Sequence, residues 1–479
     1  MFGVPGECRL EIHSVVVPDL KRSADAAPVT TPLTGERAFL PEPRFRGRLD
    51  LAVQRLSSVH MSRSRWWSRL ACAPSHDGAA LAVFLGPQPG PDPNQPQVDL
   101  VELRRAGRKV AFAAEFTSIR ELRWSTDSRW LAYWAKHQGK LRLLAVDTLE
   151  LAGVPEPLVL YDPPEGEVPF AHEWTPGGEG LSVVVRLYEG AEGYSAVYFV
   201  PFARGRAGDP RQVLRMRGHL DWESLPSSRF EDGDGPSREP WQRAYGTFDG
   251  VYLSDPLGTS RQRVVGMPAV GLQNIEWNPA ANRRQLALYF ARTAHGETGE
   301  VYKGLHLLDL GQDPPRKVQL HATSDVHTVW YSPRGTYVTW ASAEGVFLAD
   351  SADPTRFLAI GPPEPEAARS TKRTRRRRPG QGFTEPPGIT GCYWDAQEAR
   401  LAFTANERLY VYLVATGDVW ELTRLVTHNP GFAGDPHWIG DTVLFTYFED
   451  IAYERLLIRN RPKFDLPLQG GCDQLKKKP

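Results

Sequence analysis

Polar turns and short apolar runs alternate along the chain, and the same cue introduces run after run. The cue is an aromatic residue, then Ser, Thr, Asn or Asp, often Pro, and a polar turn. Turn formers ahead of a run rich in β-branched and aromatic residues predict a strand that is entered from a tight turn. Six copies begin at Trp124, Trp174, Trp277, Tyr331, Trp394 and, more loosely, Trp438.

Each copy continues into further strands, so that it forms a small antiparallel meander. A second apolar run follows a polar gap, as in Lys140 to Val146 and Leu409 to Val414, and many copies end with a third run. The copies start about 50 residues apart. A double step between the second and third copies leaves room for a degenerate copy at Leu220 to Val265, and an earlier copy fits Cys72 to Leu103.

The repeats predict the fold. A meander with one apolar face cannot bury that face alone, and radial stacking of about four to eight such sheets protects nearly every strand edge. We therefore predict an all-β fold, a β-propeller of four-stranded antiparallel blades with seven or eight blades. The aromatic cue residues occupy equivalent positions, and we expect them to pack between successive blades.

The pattern W-S-P-D-G-x-x-L-A-f resembles the WD40-like, TolB-type β-propeller repeat, which is also seen in the propeller domains of prolyl-oligopeptidase-type enzymes. Trp124 to Ala132, Tyr331 to Val338 and Pro74 to Ala82 match it best, and the resemblance covers roughly residues 68 to 460. The Gly-His and Trp-Asp marks of true WD40 repeats are missing as a set, since Gly218-His219 is solitary and Trp394-Asp395 lies in the wrong part of its unit. The resemblance implies a rigid platform for partners.

Composition agrees with a strand-rich chain that turns often. The 479 residues include 43 Gly, 41 Pro and 14 Trp. The 57 basic and 57 acidic side chains give no overall attraction to nucleic acid or to an anionic membrane. The four cysteines, Cys8, Cys72, Cys392 and Cys472, form no C-x-x-C pair, so we expect ordinary reduced thiols.

The N-terminus has acidic and polar residues where a secretory signal needs a basic end and an apolar core. No run of about 18 apolar residues is available to span a bilayer. We therefore expect a cytoplasmic protein without a membrane span.

We divide the chain into an N-terminal extension over residues 1–60, a propeller over 61–460 and a C-terminal tail over 461–479. Arg9 to Val17 is the candidate for a strand that closes the ring, because propellers are expected to join their chain ends. A basic insertion at residues 362–388 is too charged to enter a sheet interior. We expect it to form a solvated loop between two blades.

Two clusters are candidate partner-binding residues. Trp66 and Trp67 lie beside Arg63, Arg65 and Arg69, and Trp and Arg dominate binding hot spots. A closing contact with the last blade is an equal alternative for them. The second cluster could attach an acidic protein surface, nucleic acid or anionic lipid, or could be a solubilising loop without a partner. Its members are Lys372, Arg373, Arg375, Arg376, Arg377 and Arg378.

Signals for catalysis or metal binding are weak. No G-x-S-x-G elbow, Walker loop, H-E-x-x-H or Rossmann fingerprint occurs. Only about 20 residues follow the last predicted blade, too few for the α/β domain of a prolyl-oligopeptidase-type hydrolase. The acidic loop at 231–239 and the histidines at 321, 327, 428 and 437 are poor metal candidates. We therefore predict no catalytic, cofactor-binding or metal-binding residues, and no cofactor.

Together these observations predict a non-enzymatic, cytoplasmic scaffold for protein-protein interaction. Its specific form is a subunit of a bacterial system with a MoxR-type ATPase and a von Willebrand A protein. One alternative is an enzyme or small-ligand binder with its site at the central channel, and another is nucleic-acid binding through residues 372–378. Convergence of Asp, Glu, His or Arg at one mouth of the channel would favour the channel site, whereas an apolar or Pro-lined mouth would not.

Overall fold

Eight small β-sheets form the described part of the chain in a computed structural model. The described residues are 7–17, 40–49, 51–62, 72–88, 98–105, 108–115, 120–149, 156–189, 192–217, 223–224, 242–247, 250–266, 272–280, 284–295, 299, 301–312, 314–322, 326, 328–342, 344–361, 392–405, 408–423 and 431–450. Over these ranges the secondary structure consists of strands, and there is no helix that could cross a membrane.

The first three strands complete two blades whose other strands come from the C-terminal part of the chain. They are β1 (Glu7–Val16), β2 (Arg44–Arg48) and β3 (Val53–Ser62).

The first three blades follow in chain order. Blade 1 contains β4 (Cys72–Pro74), β5 (Ala80–Gln88), β6 (Val98–Arg105) and β7 (Arg108–Glu115). Blade 2 contains β8 (Arg120–Trp124), β9 (Trp130–His137), β10 (Lys140–Asp147) and β11 (Leu158–Tyr161). Blade 3 contains β12 (Glu167–Trp174), β13 (Gly180–Glu189), β14 (Glu192–Ala203), β15 (Arg206–Ala207) and β16 (Arg211–Arg217).

The next three blades have four strands each. Blade 4 contains β17 (Glu223–Ser224), β18 (Arg243–Thr247), β19 (Gly250–Ser254) and β20 (Arg261–Gly266). Blade 5 contains β21 (Leu272–Trp277), β22 (Gln285–His295), β23 (Val301–Asp309) and β24 (Arg316–His321). Blade 6 contains β25 (Thr328–Tyr331), β26 (Tyr337–Ser342), β27 (Gly345–Asp350) and β28 (Phe357–Ala359).

The last two blades combine both ends of the chain. Blade 7 contains β29 (Cys392–Trp394), β30 (Arg400–Ala405), β31 (Arg408–Leu413) and β32 (Asp418–Thr423), with β2 added in parallel to the edge of β32. Blade 8 contains β33 (Gly431–Ile439) and β34 (Thr442–Asp450), and its strand order is β3-β1-β34-β33. β1 therefore lies between a C-terminal strand and β3, with pairs that run from Cys8 opposite Asp450 to Val16 opposite Thr442.

The predicted β-propeller of antiparallel blades is confirmed, and the described sheets make the number of blades eight. The degenerate copy at Leu220 to Val265 forms blade 4, and the early copy at Cys72 to Leu103 forms most of blade 1. Two blades carry a fifth strand that the repeat pattern did not predict, because β2 and β15 lie outside the repeated runs.

The core lies between the faces of neighbouring blades. The indole rings of Trp134, Trp174 and Trp340 are almost completely buried there. In blades 2 and 3, Trp134 and Trp174 share one apolar cluster with Leu181 and Val183. Burial of these large aromatic side chains between neighbouring sheets stabilises the ring.

A turn geometry that is repeated in blades 1 and 2 explains the Ser and Asp of the sequence cue. In blade 1 the Ser75 hydroxyl donates to Asp77 Oδ1 at 2.6 Å and accepts the Ala80 N–H at 2.8 Å. Gly78 lies between them at φ +68°, a left-handed backbone conformation that favours glycine. The side chains thus satisfy the turn's backbone groups and bring the chain back into the second strand of the blade.

Candidate ligand site at the central channel

The first strand of each blade lies at the inner edge of the ring. The first strands of neighbouring blades contact one another at several junctions. Examples are the contacts of β4 with β8, β8 with β12, β21 with β25 and β29 with β33. The contact of β33 with β4 joins the last blade to the first. These inner strands therefore form the wall of the central channel.

The cue tryptophans point from each inner strand toward the preceding blade. The indole N–H of Trp124 donates to the carbonyl oxygen of Ala73 at 2.8 Å, and that of Trp174 donates to the carbonyl of Arg123 at 3.2 Å. Trp438 repeats the contact with the carbonyl of Tyr393 at 3.1 Å. Because successive side chains of a strand point to opposite faces, the residue just before each cue residue is turned the other way.

The residues just before the cue occupy one level of the channel wall. Each pairs with the equivalent position of the second strand in its blade, which fixes its height along the inner strand. We call this set the channel belt. Its members and partners are Ala73 with Ala82, Arg123 with Ala132, Glu173 with Ser182, Glu223 with Tyr245, Glu276 with Ala287, Trp330 with Thr339, Tyr393 with Ala402 and His437 with Leu444.

One arc of the belt is charged. Arg123 Nε lies 3.3 Å from Glu173 Oε2, an ion pair between blades 2 and 3 whose side chains are 37% and 48% exposed. Glu276 is half-buried on blade 5. Exposure of this size on an inner strand means that water in the channel reaches the Arg123 and Glu173 side chains.

The other arc of the belt is aromatic. The rings of Trp330 and Tyr393, on blades 6 and 7, have centroids 6.3 Å apart. The Tyr393 ring and the His437 imidazole of blade 8 are closer, at 4.1 Å. Trp330 and Tyr393 are half-buried, whereas His437 is 9% exposed. In an eight-blade ring, blades 6 and 7 lie across the channel from blades 2 and 3, so Trp330 and Tyr393 lie across from Arg123 and Glu173, whereas Glu276 lies on the inner strand next to that of Trp330.

Positions next to the belt belong to the core. Leu122, Ile275 and Val329 each precede a belt residue and are buried between blades. Cys392 occupies the same place on blade 7, where complete burial raises the pKa of its thiol. A thiol held protonated in an apolar environment is a poor nucleophile, so Cys392 adds packing to the site and no reactive group.

The belt brings together groups with complementary binding chemistry. Carboxylates accept hydrogen bonds from cations, hydroxyls and amides, and the guanidinium of Arg123 donates them. The aromatic arc offers apolar and π surface. Glutamate and histidine side chains are also groups that enzymes use for proton transfer.

The described residues show no group of three or more His, Cys, Asp or Glu side chains arranged to hold a metal ion. Of the histidines considered from the sequence, His437 lies in the belt, while His321 ends the outer strand β24 and packs against Phe347 at 5.6 Å. These two histidines therefore belong to different parts of the ring. His327, His428 and the acidic loop at 231–239 lie outside the described residues.

The candidate partner-binding residues named from the sequence also lie outside the described residues. They are Trp66, Trp67, Lys372, Arg373, Arg375, Arg376, Arg377 and Arg378. Partner binding through them stays a prediction. Sequence reasoning missed the belt because it used the cue aromatics and passed over the residue before each of them, although strand alternation could have identified that position.

No protein-family model matches the chain, and no curated protein matches it by sequence. The solved structures that match include oligogalacturonate lyase from Vibrio parahaemolyticus, at 11% identity and a TM-score of 0.43, over 78% of this chain and 88% of that one. The dihydro-heme d1 dehydrogenase NirN matches at 14% identity and a TM-score of 0.44, over 79% of this chain and 75% of that one. Prolyl oligopeptidase B from Galerina marginata matches at 10% identity and a TM-score of 0.43, over 72% of this chain and 46% of that one.

The prediction of a non-enzymatic protein is corrected by these matches. A lyase, a dehydrogenase and a peptidase are among the solved structures similar to this chain. The prediction relied on missing linear motifs, but residues that meet at a channel come from blades far apart in sequence and leave no such motif. At these identities the likeness shows the fold alone, and the fold is that of a β-propeller.

Proposed function

We propose that the protein is a β-propeller that binds a ligand in its central channel at the channel belt. The observation that supports the proposal is the side-chain contact between belt residues of successive blades, from Arg123 to Glu173 on one arc and from Trp330 through Tyr393 to His437 on the other. Convergence of acidic, basic and imidazole groups at one level of the channel is the feature that favours a channel site over a purely structural axis.

Packing alone does not account for the belt. Three adjoining inner-strand positions, Leu122, Ile275 and Val329, hold buried aliphatic residues, as expected for a ring of packed sheets. At the belt, Arg123 and Glu173 are 37% and 48% exposed, and Glu276, Trp330 and Tyr393 are half-buried. A bound ligand would cover the aromatic surface and meet the exposed side chain of Glu173.

The test is a ligand-observed NMR screen of small cationic, neutral and anionic compounds against the protein and two belt variants, Trp330→Ala and Glu276→Ala. We expect at least one compound class to bind the parent chain and each variant to weaken it about tenfold, which corresponds to about 1.4 kcal/mol. The matched controls are Phe357→Ala and Glu344→Gln, at exposed positions away from the inner strands, and both should bind like the parent. Binding that is equal in all five proteins would contradict the proposal.

A second candidate function is binding of a protein partner at the edge of the ring that carries the connections between blades. The observation that favours it is topological. The segment with Trp66 and Trp67 connects the end of β3 at Ser62 to the start of β4 at Cys72. The basic insertion connects the end of blade 6 to β29, which begins at Cys392. Both segments therefore connect the last strand of one blade to the first strand of the next. A bacterial system with a MoxR-type ATPase and a von Willebrand A protein is the specific form of this candidate.

Affinity purification at low and high salt tests the partner candidate, with the parent chain compared with a variant in which Arg375 to Arg378 are replaced by Ser. A packed protein interface predicts a stoichiometric partner that survives high salt. Recovery of nucleic acid only at low salt, and its loss in the variant, would instead assign the arginines to phosphate binding. Recovery of the propeller alone at both salt concentrations would contradict the partner candidate.

A further inference from the structure

We propose that the outer edge of blade 7 is a binding site for an extended peptide of a partner protein, and that residues 40–49 of this chain occupy the same edge in its absence. The class of peptide is defined by the pattern that this resident segment displays there, an apolar residue at each end and two arginines at alternate positions between them. The inference concerns the edge of β32 and is independent of the channel belt.

Blade 7 is complete before β2 is added to it. Its own strands, β29 to β32, pair antiparallel in chain order, and blades 2, 5 and 6 likewise consist of four strands. β2 comes from the N-terminal part of the chain and pairs with β32 in parallel, and all five of its side chains are exposed. β2 therefore extends the sheet without adding to its core, which is how a peptide ligand is added to the edge of a sheet.

The Asp418 carboxylate recognises the two arginines of the resident segment. Its side chain is 12% exposed, and Arg46 Nε donates to Asp418 Oδ1 at 2.7 Å. Arg44 Nε lies 3.9 Å from the same oxygen, and Arg44 Nη2 donates to the carbonyl oxygen of Thr416 at 2.7 Å. In the described part of the chain, both cations that lie against this carboxylate thus belong to β2. Because a poorly solvated carboxylate needs a compensating cation, a peptide that replaces β2 has to supply one.

The backbone of the edge is shaped for a close approach by the segment. The N–H of Arg44 donates to the carbonyl oxygen of Gly417 at 2.7 Å, and the N–H of Leu49 donates to that of Glu421 at 2.8 Å. Gly417 has a φ of +73°, and a Cβ atom at this position would lie 2.4 Å from the carbonyl oxygen of Glu42. Glycine therefore allows the two backbones to come together here. Main-chain hydrogen bonds of this kind contribute affinity, and the side chains contribute specificity.

The two ends of the resident segment are apolar anchors. Leu40 is half-buried against a core cluster of blades 6 and 7, and Leu49 is half-buried against a cluster of blades 7 and 8. Together with Arg44 and Arg46, the two leucines form the pattern L-x-x-x-R-x-R-x-x-L. We expect a partner peptide for this edge to carry the same pattern.

The resident segment competes with any such peptide. Because it is attached to the same chain, its effective concentration at the edge is on the order of millimolar. A free peptide can bind only those molecules from which the segment has detached, and its apparent affinity is reduced by that fraction. Substitutions that weaken the resident segment should therefore strengthen the binding of a free peptide.

Fluorescence anisotropy with a labelled peptide of residues 40–49, LPEPRFRGRL, tests the inference. The double variant Arg44→Ala/Arg46→Ala weakens the resident segment and leaves the edge of β32 intact. We expect it to bind the labelled peptide at least about tenfold more tightly than the parent chain does. The matched control is Arg206→Ala/Arg211→Ala, which removes two exposed arginines from outer strands of blade 3 and should bind like the parent.

Two further changes test what the edge recognises. Asp418→Asn, added to the double variant, should weaken the labelled peptide at least about tenfold, because it removes a charge-assisted hydrogen bond. An unlabelled peptide with Ala in place of the arginines at positions 44 and 46 should not compete with the labelled one. Equal competition by this peptide, or no effect of Asp418→Asn, would overturn the assigned class of peptide.

Thermal unfolding separates loss of the site from loss of the fold. The double variant should unfold close to the parent midpoint, since the side chains of β2 are exposed. If it does not fold, Arg46→Ala alone takes its place in the same titration. A folded variant that binds the labelled peptide no more tightly than the parent does would overturn the inference.

Discussion

Deletion of residues 1–17 is expected to abolish cooperative unfolding of the entire ring. β1 is a central strand of blade 8, with β34 on one side and β3 on the other. Its removal would leave two separated strand edges and break the closure that lets each blade cover its neighbours. In thermal unfolding followed by circular dichroism, the deleted chain should show no sharp transition, or should aggregate on purification.

The closing strand also contributes core. Val15 and Val17 are buried in one cluster with Val443, Phe445 and Tyr447. The His13 ring stacks on Phe445 at a centroid distance of 5.5 Å. These contacts join an N-terminal segment to residues more than 400 positions away, so their loss cannot be repaired locally.

A single substitution tests the same closure with less disturbance. Ser14 pairs with Leu444 and Gln54, so Ser14→Pro would remove a ladder hydrogen bond in the middle of a sheet, where proline is not tolerated. We expect a large fall in the unfolding midpoint. Val16→Ala, at a strand end where the side chain is 63% exposed, is the matched control and should be almost neutral. Normal cooperative unfolding of Ser14→Pro and of the deletion would show that β1 does not close the ring.

Trp340→Ala is expected to have the largest effect among single core substitutions. The indole is fully buried between blades 5 and 6, stacked on Phe347 at 5.4 Å and edge-on to Phe357 at 5.5 Å. Truncation of a buried Trp removes its transfer free energy and leaves a cavity, at a cost of about 3–5 kcal/mol. Denaturant unfolding should show a free energy of unfolding lower by that amount.

Two controls separate cavity formation from other effects of Trp340→Ala. The Trp340 N–H has no hydrogen-bond partner among the described residues, so Trp340→Phe loses only volume and should cost about 1–2 kcal/mol. Phe357→Ala removes a side chain that touches the same indole but is 46% exposed, and should cost no more than about 1 kcal/mol. Equal effects of all three substitutions would contradict the packing of Trp340 between the blades.

The fold could be predicted from the sequence because successive blades repeat the same turn and the same packing of the aromatic cue. The Ser and Asp of the turn and the aromatic cue are needed in blade after blade, as Ser75, Asp77 and Trp124 show, so the pattern recurs at a fixed spacing. The number of blades was harder to predict, since β17 of blade 4 has two described residues and lacks the aromatic cue. The fifth strand β2 was also missed, because an outer strand held by contacts such as Arg46 to Asp418 needs no apolar pattern.

The candidate site could not be predicted from the sequence in the same way. Belt residues such as Arg123 and Glu173 are 50 positions apart, and nothing near either residue shows that they meet. The residue type at the belt position varies from blade to blade, because this position is not constrained by the packing between blades that requires an aromatic residue at the cue. Chemistry at such a position emerges only when the register of several inner strands is known together.

The most direct test of the channel belt is ¹⁹F NMR of the protein labelled with 5-fluorotryptophan. The Trp330 signal is assigned from its loss in Trp330→Phe, and the compound from the ligand screen that binds most tightly is then added. A ligand in the belt predicts a shift of the Trp330 signal, with the signals of the buried Trp134 and Trp340 unchanged. A compound that binds tightly and leaves the Trp330 signal in place would contradict a ligand site at the belt.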